Sequence, residues 1–494
     1  MIVFSRKPVQ VFGALIIALL AAALSRRNTK TERQPPVIGK NNTVLFVANV
    51  EHGLSNVHVA TVYSLLERHP EIIVHFASWP KIEPKIKRVS AHARIKSPSS
   101  RPAIFHQLPA PKSSDASGFN FTPNWIRPPG IPGLKGLNDD MAMFVSRWTG
   151  EDHLVIHNHV QKLIRDIDPA VVVLDMFHRP GVDATRGDNR LHAILSPNVL
   201  ADVFGGAQPW LRGFWQFPAF AWAMLFNPEL VEKRKFLASH GLEDPISFFT
   251  IHQPGNGVFI SQDTAAASIP LNSVPANVTT TGPIVISVAS AAEQDLDLTL
   301  WLRRAPTVLV NLGSLFEYDA DRAISMAGAL EVVLRRTNVQ VLWKMNTYLD
   351  DKDWKPLVKE FLANDRLRVS KWLTVDPAAL LETGDIIASV HHGGANCYHE
   401  AIATGVPHLI LATWLDLYNY AARVEQVGIG VWGNRKSAPS FSLDELSDAL
   451  LRLVDGGPES VTKRDNARAV QQTLRRPGRD IAADEVARLA ARGI

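Results

Sequence analysis

One stretch limits the folds open to this chain: Asp385-Ile-Ile-Ala-Ser-Val-His391-His-Gly-Gly-Ala-Asn396-Cys-Tyr-His-Glu400-Ala-Ile-Ala-Thr-Gly405-Val-Pro407. Ile386 to Val390 is a short apolar run that reads as a buried strand, and Gly393-Gly394 reads as a turn. A helix then runs from near Asn396 to its stop signals, Gly405 and Pro407. A strand, a glycine turn and a helix N-terminus gather free backbone N–H groups and the positive end of a dipole into an anion site. His391, His392 and Asn396 stand at its mouth, with Glu400 one turn further along. The arrangement suits a nucleoside diphosphate, with a carboxylate placed to accept hydrogen bonds from ribose hydroxyls.

The rest of the chain repeats the strand–helix alternation of a parallel α/β protein. Asn42 to Val50 reads as a strand, Glu51 to Asn56 as a turn and Val57 to Arg68 as a helix, and Glu71 to Ala77 is a second strand. This βαβ opening is Rossmann-like but lacks G-x-G-x-x-G, which argues against dinucleotide binding at this turn. Residues 80–140, rich in Pro, Ser and Lys, read as loops with short elements. A helix near 151–165 leads to the strand Pro169 to Leu174, which ends at Asp175. A second series starts at Thr307 and has Gly313-Ser314 after its first strand. The strand Val339 to Lys344 and a short one at Arg366 to Val369 follow, then Trp372, the opening stretch and Asp416.

At 494 residues the chain exceeds one core. The expected division is a tail (1–40), a first Rossmann-like domain (41–270), a linker (271–305), a second Rossmann-like domain (306–455) and C-terminal helices (456–494). The tail holds seven Lys/Arg against Glu32, so the body carries −2 of the chain's +4 and leaves no footprint for nucleic acid. The lone cysteine, Cys397, excludes intramolecular disulfides and cysteine-based metal clusters.

Val9 to Leu24 is apolar between basic flanks and shorter than the ~20 residues of a comfortable span. Ala21 to Ala23 would suit a signal-peptide cleavage site. The heavier positive charge after the run favours an uncleaved single-pass anchor, in the endoplasmic reticulum membrane with the body in the cytosol. The sequons at Asn41, Asn120 and Asn277 point the other way. Between Gly205 and Pro228 lie Trp210, Phe214, Trp215, Phe217, Phe220, Trp222 and Phe226, either a core helix pair or an apolar acceptor surface that could dip into a membrane.

Two such halves bring their strand ends face to face across a cleft, where ligands of open α/β sheets bind. Gly394, Asn396 and Ser314 would hold the diphosphate, Trp372 would stack on the base and Asp416 would bind sugar hydroxyls. Across the cleft, His52 oriented by Asp175 could take a proton from an acceptor hydroxyl, as in a catalytic triad.

The run from His392 to Pro407, with Asp416 nine residues on, resembles the donor motif of the UDP-dependent glycosyltransferases of family 1. That resemblance implies a GT-B fold and inverting transfer from a UDP-sugar, glucose by default, to a hydroxyl of a lipophilic small molecule such as a secondary metabolite or sterol. It implies no metal or other cofactor. By it His392, Asn396 and Cys397 touch the diphosphate, Glu400 the ribose, Trp372 the uracil, Ser314 the phosphates and Asp416 the sugar. Asp175 falls where the family places the partner of its catalytic histidine. The chain departs from the pattern in four places. Cys397 replaces Ser or Thr, Leu417 replaces Gln, Tyr420 replaces Asn, and Leu54 follows Gly53 where many relatives have the base histidine, so that role passes to His52. An epimerase-like GT-B enzyme and a non-catalytic partner subunit stay open.

Overall fold

The computed structural model describes residues 34–111, 126–136, 140, 142, 145–204, 224–247, 257–271, 274–347, 349 and 351–492. The apolar run 9–24, Asn120 and nearly all of the aromatic span 205–228 lie outside them. Among the described residues no helix is long and apolar enough to cross a membrane, so nothing in the fold supports the anchor.

Two all-parallel sheets carry the chain. The first runs β3-β2-β1-β4-β5-β6-β7 and the second β10-β9-β8-β11-β12-β13. In the first sheet the strands are β1 (Lys40–Val47), β2 (Ile73–Ser78), β3 (Ile104–Gln107), β4 (Pro169–Leu174), β5 (His192–Ser196), β6 (Val258–Ser261) and β7 (Val278–Thr280). In the second they are β8 (Thr307–Asn311), β9 (Gln340–Lys344), β10 (Leu367–Ser370), β11 (Ile386–His391), β12 (His408–Ile410) and β13 (Gly430–Trp432). Strands such as Val44 to Val47 and Val171 to Leu174 are buried on both faces, which is why they read as unbroken apolar runs rather than alternating ones. Each sheet reverses its strand order once, between β1 and β4 and between β8 and β11. Crevices open there beyond the strand ends, and ligands of such sheets bind in them.

Four boundaries differ from the sequence reading. Helix α1 (His52–Arg68) starts at His52, absorbing most of the expected turn. Segment 80–140 contains α2 (Glu83–Lys96), whose Ile86, Val89 and Ala93 are buried at four-residue or closer spacing; its many lysines had masked that stripe. The expected linker contributes β7 to the first sheet. The last helix, α10 (Gly478–Arg492), returns to the first domain.

Helices α3 (Gly150–Ile167) and α4 (Arg179–Gly187) flank the first sheet, and α5 (Ala320–Arg336) the second. Helices α6 (Ala395–Thr404) and α7 (Leu417–Val427) follow β11 and β12. Then come α8 (Leu443–Val454), α9 (Pro458–Gln472) and α10 (Gly478–Arg492). Ala482, Ala483, Val486 and Leu489 of α10 sit in the core of the first domain, and Asp484 is bonded by Arg68 and by His69 at 2.8 Å. The chain thus crosses between domains twice, which ties them at a second point.

Candidate active site

The β11–α6 corner is built by glycine. Gly393 has φ +96°, a backbone that strains any side chain. A Cβ on Gly394 would come 2.3 Å from His392 Nε2, and one on Gly313 within 2.7 Å of the same ring. The imidazole of His392 therefore lies in a slot that only glycines on both sides leave open. Its Nδ1 is buried with no partner, and burial, with Lys344 nearby, pulls its pKa down to about 4. His391 has a different job. Its Nδ1 accepts from Gly393 N–H at 3.1 Å and its Nε2 lies 3.0 Å from His408 Nδ1, so it pins the turn from beneath.

Helix α6 starts at Ala395 without a side-chain cap, and α1 of the first domain starts at His52 in the same way. The two positive helix ends meet across the cleft, joined by Asn396 Nδ2 donating to His52 O at 3.0 Å. Asn396 Oδ1 is buried without a partner. Between the domains is a void of ≈ 240 Å³ lined by Glu51, His52 and Lys81 on one side and Ser314, Leu315 and Trp372 on the other. That is below the roughly 300–1,000 Å³ of small-molecule sites. The two sides are also joined by the Asn396–His52 contact and by the ion pair of Arg88 with Asp376.

Trp372 is 51% exposed, presenting a ring face toward the cleft. Lys344 Nζ sits 4.1 Å from its centroid and the His52 ring 5.3 Å away. Glu400 is buried on α6; burial, then the like charge of Asp376, push its pKa up to about 8, against the pull of Lys85. Cys397 beside it is pushed up as well, chiefly by burial, and stays a thiol. Asp416 precedes α7, and burial followed by Asp202 raises it to about 7. The Tyr420 hydroxyl donates to Asp202 Oδ2 at 2.8 Å, a contact between the domains.

The structure does not pair His52 with Asp175. His52 Nδ1 lies 2.9 Å from Lys85 Nζ, which also donates to Asn56 Oδ1 at 2.8 Å. An ammonium only donates, so Nδ1 is the acceptor and the ring proton sits on Nε2. Burial, then Lys85, lower His52 to about 3. Asp175, raised to about 6 by burial, accepts from Asn49 N–H at 3.2 Å and Phe177 N–H at 2.9 Å and so ties the end of β4 to the exit of β1. Glu51 forms a buried ion pair with Arg147, whose guanidinium reaches Asn49 Oδ1 at 3.1 Å.

Ser314, Trp372, His392, Gly394, Asn396, Cys397 and Glu400 thus gather around one corner of the second domain, and His52 faces them. The sequence reading missed Lys344, Lys85 and the Glu51–Arg147 pair. Lys344 had a legible signal, a charge closing the buried strand Gln340–Trp343 at the end where ligands bind. Lys85 has none, since its helix lies in a segment whose composition predicts loops with short elements.

Comparison with known proteins bears on this geometry. Residues 351–484 match the family described as erythromycin biosynthesis protein CIII-like, C-terminal domain. The glycosyltransferase sdnJ of Sordaria araneosa is 32% identical over 462 residues, 84% of this chain and 88% of that one. The vancomycin aglycone glucosyltransferase of Amycolatopsis orientalis is 36% identical over 100 residues, 20% of this chain and 23% of its own. Among solved structures, the kitacinnamycin glycotransferase superposes with TM-score 0.64 at 15% identity, covering 92% of this chain and 99% of that one. The UDP-glucose:anthocyanidin 3-O-glucosyltransferase bound to UDP gives 0.61 at 14%, with the same coverage. At such identities these structures establish the fold, which is GT-B.

Proposed function

Because the chain belongs to the family 1 glycosyltransferases, enzymes that move a sugar from a nucleotide sugar, we propose that its donor is a UDP-hexose, glucose in the first instance. The acceptor is a hydroxyl of a lipophilic small molecule, and the anomeric centre inverts. The observation that carries this reading is the convergence of Trp372, Ser314, His392 and an uncapped helix N-terminus on the cleft across from His52. A ring face for the base, N–H groups for a diphosphate and Glu400 for the ribose follow one another along that corner.

In this reading His52 takes the acceptor proton as the hydroxyl attacks the anomeric carbon and UDP leaves. It does so after Lys85 releases Nδ1 and the ring changes tautomer. Entry of the donor separates the domains and gives Lys85 other partners, Glu400 among them. The test is UDP release by the full chain with UDP-hexoses and a panel of lipophilic alcohols. Release with UDP-glucose and an apolar alcohol is expected; no release with any pair overturns the proposal.

A further inference from the structure

We propose that Lys344 is a donor-binding residue that leaves the face of Trp372 to pair with the diphosphate when the nucleotide enters. This rests on the UDP-sugar reading above and adds to it a cation that the sequence motif does not contain.

Lys344 closes β9, one strand from the Gly313-Ser314 turn at the end of β8 and one strand from the Trp372 loop after β10. Its side chain is buried, 5% exposed, yet among the described residues no carboxylate pairs with it. Its ammonium donates to Gly313 O at 2.6 Å and lies over the indole at 4.1 Å. Gly313 in turn backs directly onto the His392 ring. The ammonium therefore lies one layer from the mouth of α6. A buried cation without an anion is costly, and such groups cluster at functional sites. Burial depresses its pKa to about 8, so an incoming anion would restore its preference for the charged form.

Charge at the mouth points the same way. A diphosphate brings several negative charges. His391, His392, His399 and His408 are all held neutral by burial. Each helix N-terminus supplies roughly half a positive charge. Lys85 belongs to the first domain and has a carboxylate close by, Glu400, to turn to when it leaves His52. Lys344 is the buried ammonium on the donor side whose partners, a carbonyl and a ring, are the ones a phosphate can outcompete. Its present seat covers one face of the indole, while the ring as a whole stays half exposed to the cleft. A phosphate would draw the ammonium off a ring that the nucleobase shares.

Uridine and UDP separate this role from a structural one. Calorimetric titration of the full chain should show UDP binding at least tenfold weaker in Lys344→Met, with uridine unchanged or tighter because the ring is cleared. Lys344→Arg should recover most of the UDP affinity. If Lys344→Met weakens UDP and uridine equally, or tightens both, the lysine merely packs the ring and the proposal falls while the UDP reading stands. Wild-type protein that binds neither ligand would overturn the UDP reading and the proposal together.

Discussion

The two crevices of the molecule occupy equivalent places, each at the point where a parallel sheet reverses its strand order, but their polar groups are treated in opposite ways. In the first, between β1 and β4, the groups at the mouth satisfy one another: Asp175 binds two N–H groups, Glu51 binds Arg147 and His52 Nδ1 meets Lys85. In the second, between β8 and β11, groups are left waiting. His392 Nδ1 and Asn396 Oδ1 are buried without partners, and among the described residues Lys344 has no carboxylate. Buried polar groups are rarely left unpaired without a reason. On the function proposed above, the second crevice is the ligand site and the first a frame that holds one imidazole against it.

If the frame exists for that imidazole, His52→Ala should cut turnover by about 10²–10⁴-fold while UDP affinity stays within a few-fold. Steady-state rates and UDP titration on the same sample check both halves. Unchanged turnover would remove His52 from the chemistry and leave the frame without a purpose. The frame itself should break through its ion pair. Arg147→Ala strands Glu51, whose side chain is 6% exposed, and should destabilise the protein by roughly 3 kcal/mol. Thermal unfolding should fall by about 5–10 °C, whereas Trp372→Ala should leave it in place. Equal midpoints for the two variants would dissolve the distinction between frame and site. In UDP affinity the order reverses. Loss of the Trp372 face should weaken UDP by about 1–3 kcal/mol, the worth of stacking a base on an aromatic ring.

The second crevice was the more legible of the two, because its chemistry is local. Strand, glycines, helix start and stop lie within residues 385–407, and their spacing alone fixes the corner. The first crevice is assembled from Asn49, Glu51, Arg147 and Asp175, up to 126 residues apart, and no local pattern announces which of them will meet. His52 with Asp175 was a sound pairing by type, but Lys85 reaches the imidazole from a helix whose apolar stripe was hidden among lysines. The parallel sheets were legible as unbroken apolar runs. The return of α10 to the first domain was not, since its small apolar face of Ala482, Ala483 and Val486 fits either core.

Glu400 gives the smallest effect and the finest test, because there stability and binding pull apart. Its carboxyl is raised from 4.5 to about 8 in the folded protein, so between those values the folded state holds a proton that the unfolded chain has lost. Stability from this group is therefore complete below about pH 4.5, falls as pH rises through the window and is level above 8. A shift of that size sets an upper bound of about 5 kcal/mol above pH 8 and about 3 kcal/mol at pH 7. Glu400→Gln removes the ionisable group and keeps its shape. Its unfolding midpoint should match wild type near pH 4.5 and exceed it progressively up to pH 8. Above pH 8, where the carboxyl is ionised, UDP affinity should instead fall about tenfold, since the amide offers one acceptor oxygen where the carboxylate offers two. A carboxyl retained at the expense of stability is expected in a crevice built for a ligand and not in a self-satisfied frame. A variant that was less stable across the whole pH range would move Glu400 from the ligand site to the framework.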